Sequence, residues 1–108
     1  MSEKVTKKLK SGRSIDIAEM SLDQMDNCKD AARIIFEDGK ASSITGTNRA
    51  KTLWLRLGLC GGDFKAPIKV VNGNFPDKAI KELNDEEREQ AIELIQEAQR
   101  LGEFNAQN

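Results

Sequence analysis

The stretch 5–17, Val-Thr-Lys-Lys-Leu-Lys-Ser-Gly-Arg-Ser-Ile-Asp-Ile, most narrows the fold, because apolar and polar residues alternate on both sides of Ser11-Gly12. A period of two belongs to a strand with one buried face, and a Ser-Gly pair between two such runs marks a β-hairpin. Loop length then decides the register. A two-residue loop would pair Leu9 with Ser14 and set Val5 and Leu9 on the opposite face from Ile15 and Ile17. A three-residue loop of Lys10, Ser11 and Gly12 pairs Val5 with Ile17, Lys7 with Ile15 and Leu9 with Arg13, and so gathers the apolar side chains on one face. That loop needs one residue at positive φ, which Gly12 adopts without steric cost. The three-residue loop is therefore expected.

Helical spacing takes over after the hairpin. Ser21 followed by Gln24 forms a capping box. Leu22, Met25, Cys28, Ala32, Ile35 and Phe36 then recur at helical intervals, predicting a helix over 22–38 that stops at Gly39. The Ser, Thr and Gly content of 40–46 predicts an exposed loop, the kind of segment that carries contacts. Thr47 can cap a helix over 48–59 that ends at Gly61-Gly62. Ile68, Val70 and Val71 before Asn72-Gly73 predict a short strand, which would make the sheet three-stranded if it joins the hairpin. Pro76 suits the start of a short helix reaching Leu83. Asn84 or Asp85 caps a last helix to Leu101, with Gly102 past its end and Ala91, Leu94, Ile95, Ala98 and Leu101 as its apolar stripe. Phe104 is placed to fold back onto it. The expected architecture is α+β: an N-terminal β-hairpin, extensible to a three-stranded antiparallel sheet, packed on about three main helices. Residues 1–104 read as one domain and 105–108 as a frayed tail.

Composition removes several classes of function. The 108 residues carry 17 Lys plus Arg and 18 Asp plus Glu, a net charge of −1, so no global field draws the chain to nucleic acid or an anionic membrane. The charge is uneven, basic from Lys4 to Arg13 and acidic from Glu82 to Glu89. No apolar run approaches the ~20 residues that span a bilayer, and the first ten residues hold no signal-peptide core. A cytoplasmic protein is expected. With no His and only Cys28 and Cys60, a zinc tetrahedron cannot be completed, and both thiols read as small buried hydrophobes. Asp23, Asp26 and Asp30 share a helix face, without the oxygen-rich loop that calcium sites use, and read as solvated. Gly58, Gly61 and Gly62 leave a helix and do not open one, so no phosphate-cradling turn is formed. No catalytic set, metal site or cofactor is expected, and the chain reads as a non-enzyme.

The helix 48–59 carries the remaining signal. Ala50, Leu53, Trp54 and Leu57 form one apolar stripe, while Leu55 and Leu59 lie roughly opposite. A surface helix of a monomer needs one stripe. Either this helix is central to the fold, or its second face, Leu55 and Leu59, meets another chain; Trp54, on the first stripe, is a further candidate interface anchor. Arg49, Lys51 and Arg56 on the same helix permit an alternative, a small DNA-binding regulator whose helix contacts phosphates. The linker before that helix is longer than a tight helix-turn-helix turn, and the net charge lends no support.

The N-terminal run Leu9-Lys-Ser-Gly-Arg-Ser-Ile-Asp-Ile-Ala-Glu-Met-Ser21, leading into Leu22-Asp-Gln-Met-Asp26, resembles the opening of small tail-assembly and baseplate-assembly proteins of tailed bacteriophages. The Asn72-Gly73 turn followed by helices is similar too, whereas 42–62 departs from the pattern. The resemblance implies a non-enzymatic structural or assembly protein of the tail, baseplate or connector class. Its partners would be phage structural proteins or further copies of itself, met in the host-cell cytoplasm or in the virion. Contact surfaces expected on this reading are Leu55 and Leu59, the hairpin edge, and the loop 40–46. Lys7, Lys8 and Lys10 would discourage promiscuous strand pairing at that edge.

Overall fold

The computed structural model describes residues 4–31, 33–37, 40–45, 47–102 and 104. Strands β1 (Lys4–Lys8) and β2 (Ser14–Ala18) pair antiparallel with Val5 opposite Ile17 and Lys7 opposite Ile15, the register of the three-residue loop. The Leu9 amide donates to the Arg13 carbonyl at 2.8 Å and the Gly12 amide to the Leu9 carbonyl at 2.9 Å, with Gly12 at φ +97°. Leu9, Ile15 and Ile17 are buried and Val5 packs partly against them.

The third strand is not the predicted one. Among the described residues, 67–70 join no strand ladder, and the third strand is β5 (Leu59–Gly62), which pairs antiparallel with β2 and gives the order β1-β2-β5. Gly61 and Gly62, expected to end a helix, instead let β5 lie close against β2. A Cβ on Gly61 would sit 2.6 Å from an Asp16 carboxylate oxygen, and one on Gly62, at φ +131°, would sit 2.5 Å from the Ser14 carbonyl oxygen.

Helix α1 (Leu22–Ala31) starts at the expected capping box: the Ser21 amide donates to Gln24 Oε1 at 2.9 Å and the Gln24 amide to Ser21 Oγ at 3.1 Å. It ends seven residues before the predicted stop. β3 (Arg33–Glu37) follows and pairs antiparallel with β4 (Lys40–Thr45), so the exposed loop expected over 40–46 is a strand over most of its length. The cause lies in residue type: Ile34-Ile35-Phe36 fits a helical stripe and a strand equally, and β-branched and aromatic residues favour the pleated form once Ile44 and Thr45 are available opposite. The stop assigned to Gly39, the loop residue Gly46 and the tail 105–108 lie outside the described residues.

Helix α2 (Thr47–Gly58) runs one residue ahead of its prediction, and β5 begins at the very next residue. Pro76 precedes the short α3 (Asp77–Ile80). Helix α4 (Asp85–Leu101) is capped by Asn84, whose side chain accepts from the Glu87 amide at 2.8 Å while the Asn84 amide donates to Glu87 Oε1 at 3.0 Å; Gly102 closes it at φ +65°. Ala91, Ile95 and Ala98 are buried as expected and Phe104 folds back into the core; Leu101 is exposed, and Ile92 is buried in its place. α2 touches α1, α4, α3, β2 and β5, which makes it the central element of the core. Among the described residues no helix is long and apolar enough to cross a membrane.

Candidate protein-contact surfaces

The central position of α2 corrects the interface expected on its second face. Leu55 and Leu59 are 1% and 2% exposed, covered by the chain's own sheet and helices, so both apolar stripes of α2 are core. Trp54, 7% exposed, lines an open groove of about 700 Å³. Three helices build this groove: Met25, Cys28 and Lys29 come from α1, Ala50 and Trp54 from α2, and Gln96, Gln99 and Arg100 from α4. Gln99 is committed to structure, accepting from the Met20 amide and donating to the Ala18 carbonyl, each at 2.9 Å, which ties the β2–α1 link to α4. An aromatic and thioether floor with two cations and an exposed amide at its rim suits an apolar side chain flanked by acid, and the volume lies within the ~300–1,000 Å³ of ligand pockets. Burial pushes the Cys28 thiol up to about 11, so it lines the groove as a neutral hydrophobe.

Two of the three cations of the DNA-binding alternative are drawn into the protein's own ion pairs. Arg56 donates through Nε and Nη2 to both Asp77 carboxylate oxygens at 2.9 and 3.0 Å, a bidentate clamp that raises the guanidinium pKa and lowers that of Asp77. Lys51 Nζ lies 3.1 Å from Glu89 Oε2. Arg49 is exposed. A phosphate approaching α2 would have to displace carboxylates from two of these three residues.

The carboxylates with shifted pKa are explained by structural hydrogen bonds. Glu82 lies below the usual carboxylate range because the Lys65 and Ala66 amides donate to its two oxygens at 2.8 Å. Glu87 is lowered first by the Asn84 amide, then by Ser11 Oγ at 2.8 Å and Arg13 Nε at 3.0 Å. Arg13 also donates to the Asp63 carbonyl at 2.6 Å and lies over the Phe64 ring at 5.3 Å. This cluster fastens the hairpin turn to the start of α4 and to the segment after β5. Sequence reasoning missed it, although Asn84-x-x-Glu87 is itself a capping-box signature. Among the described residues no group of three His, Cys, Asp or Glu side chains could hold a metal ion.

A second surface lies at 68–71, where Ile68, Val70 and Val71 are 42%, 45% and 56% exposed. No family model matches the chain, and no curated protein or solved structure matches it either.

Proposed function

We propose that this chain works through protein contacts and runs no catalytic cycle, as a structural or assembly protein of the bacteriophage tail, baseplate or connector class. The groove between α1, α2 and α4 carries the contact reading, because it places the only Trp of the chain on an open, largely apolar floor. Support for the phage class comes from the N-terminal resemblance: strand, Ser-Gly turn, second strand and Asp-bearing helix. On this reading the protein meets its partners in the host-cell cytoplasm and through them enters the virion.

The test places a photo-crosslinking residue at Gln96, on the exposed rim, in cells producing phage particles. A crosslink to a virion structural polypeptide, identified by mass and lost in Met25→Glu, is the expected result. Absence of any such crosslink overturns the proposal, as does tight, steeply salt-dependent DNA binding by the purified protein.

A further inference from the structure

Residues 71–74 begin a hairpin that stops after one rung. Asn72 and Gly73 both lie at positive φ, 54° and 77°, as a type I′ turn requires. Val71 and Asn74 exchange amide-to-carbonyl hydrogen bonds at 3.1 and 3.0 Å. The next hydrogen-bonded rung in this register would join Lys69 to Pro76. Pro76 has no N–H to give, and its carbonyl accepts from the Ala79 and Ile80 amides at the start of α3. The Phe75 amide donates to the Arg56 carbonyl at 2.7 Å, which fastens the second arm to α2. Among the described residues the first arm is left without an opposite strand.

That arm keeps the composition of a strand. Ile68, Val70 and Val71 are β-branched and exposed, and among the described residues Ile68, Lys69 and Val70 take part in no hydrogen bond. Its charge is that of lysine: from Phe64 to Pro76 the only ionisable side chains are Lys65 and Lys69, both exposed. Of the nearby carboxylates, Glu82 faces Lys65 while Asp77 is clamped by Arg56, which leaves Lys69 as the cation of the arm. Cationic, apolar and without ladder partners, the arm complements an extended segment that alternates apolar with acidic residues. A second copy of the same arm would set lysine against lysine wherever the two strands centred on residue 69.

We propose that 68–71 is a docking strand that takes an acidic, apolar, extended segment of a partner protein by antiparallel strand addition. It deepens the protein-contact reading, but its surface is separate from the groove and its test does not involve the groove. In a strand continuing from Val71 the Ile68 and Val70 amides turn to the outer edge, where the incoming strand would accept them.

The test titrates the full-length, ¹⁵N-labelled chain with a blocked octapeptide alternating Glu and Val. Amide shifts and slowed hydrogen exchange confined to 68–71 are expected, with affinity falling about tenfold or more in Val70→Pro, which removes an outer-edge donor, and under threefold in Val70→Thr. A Lys-Val peptide should bind wild type weakly and a Lys65→Glu, Lys69→Glu variant better. Lack of shifts at 68–71 with up to millimolar Glu-Val peptide overturns the proposal, as does equal affinity for the two peptides. A dimer detected by sedimentation and broken by Val70→Pro overturns it as well, since the occupant would then be a second copy. Failure of the Gln96 crosslink alone would leave this strand proposal standing.

Discussion

Gly58→Ala sets two known effects against each other, and the geometry decides the sign. Alanine is favoured over glycine inside a helix by up to ~1 kcal/mol, and at the last residue of α2 only part of that gain applies. Against it, a Cβ at position 58 would lie 2.5 Å from Ile95 Cγ2, 3.0 Å from Cδ1 and 3.1 Å from Cγ1. Carbon atoms pack at ~3.5–4.0 Å, so the fully buried Ile95 must leave its rotamer or α2 and α4 must separate. Overpacking of this kind costs about 1–3 kcal/mol. The net expectation is a loss of about 1–2 kcal/mol, or a fall in Tm on the order of 4–8 °C for a domain of this size. Urea and thermal unfolding followed by Trp54 emission read it directly. Ile95→Ala alone should cost about 2–5 kcal/mol. The double variant should cost at least about 1 kcal/mol less than the sum, because the added methyl enters the space that Ile95 vacates. A Gly58→Ala protein as stable as wild type, or a strictly additive double variant, would refute the reasoning.

Arg13→Ala removes the cation from the buried Glu87 carboxylate and one of the links between the hairpin turn and α4, leaving those of Lys10 and Ser11, and a loss of about 1.5–3 kcal/mol in urea unfolding is expected. Glu82, Glu87 and Asp77 have folded pKa values below their unfolded ones, so the unfolded chain takes up protons first as pH falls. Their stabilisation is complete above the ordinary carboxylate range and is lost as pH drops through the folded values. Glu87→Gln should flatten that acid limb of a stability-versus-pH curve. Cys28 behaves oppositely: its pKa rises from 9.0 to about 11 on folding, so its contribution is lost between those values as pH rises. Cys60, only partly buried, should react with a thiol reagent well before Cys28 in the native protein, and equal rates would contradict the burial of Cys28.

The hairpin was legible because only one register puts Val5, Leu9, Ile15 and Ile17 on the same face. The last helix was legible because its cap, acidic first turn and terminal glycine agree. The misread elements have a common cause. Ile34-Ile35-Phe36 and Ile68-Lys-Val-Val71 are short apolar runs whose local preference is settled by what lies opposite them, and sequence spacing does not reveal that. The first found a partner strand in β4; the second lost its own to Pro76, a proline whose position two residues past Asn74 was a readable warning. β5 escaped notice because Leu59-Cys-Gly-Gly has little strand character, and it is a strand because its glycines let it approach β2. Trp54 could be singled out from sequence, but the groove beside it needs α1 and α4, which are some sixty residues apart in the chain. Arg13 looked like a turn residue, and its links to Glu87, Asp63 and Phe64 exist only in three dimensions.

α2 passes into β5 between Gly58 and Leu59 with no linking residue. A joint of zero length has no loop to absorb an insertion. One residue added there would turn every side chain of α2 by ~100° relative to the strand, slip β5 against β2 and reverse its faces, or enlarge the bulge that the β2–β5 ladder already carries between Asp16 and Ile17. Natural variants of this chain should therefore keep the length of 47–66 constant, since the backbone of Asp63, Lys65 and Ala66 is also pinned by hydrogen bonds. A length change between α2 and β5 would identify a protein whose central helix presents different residues to its core.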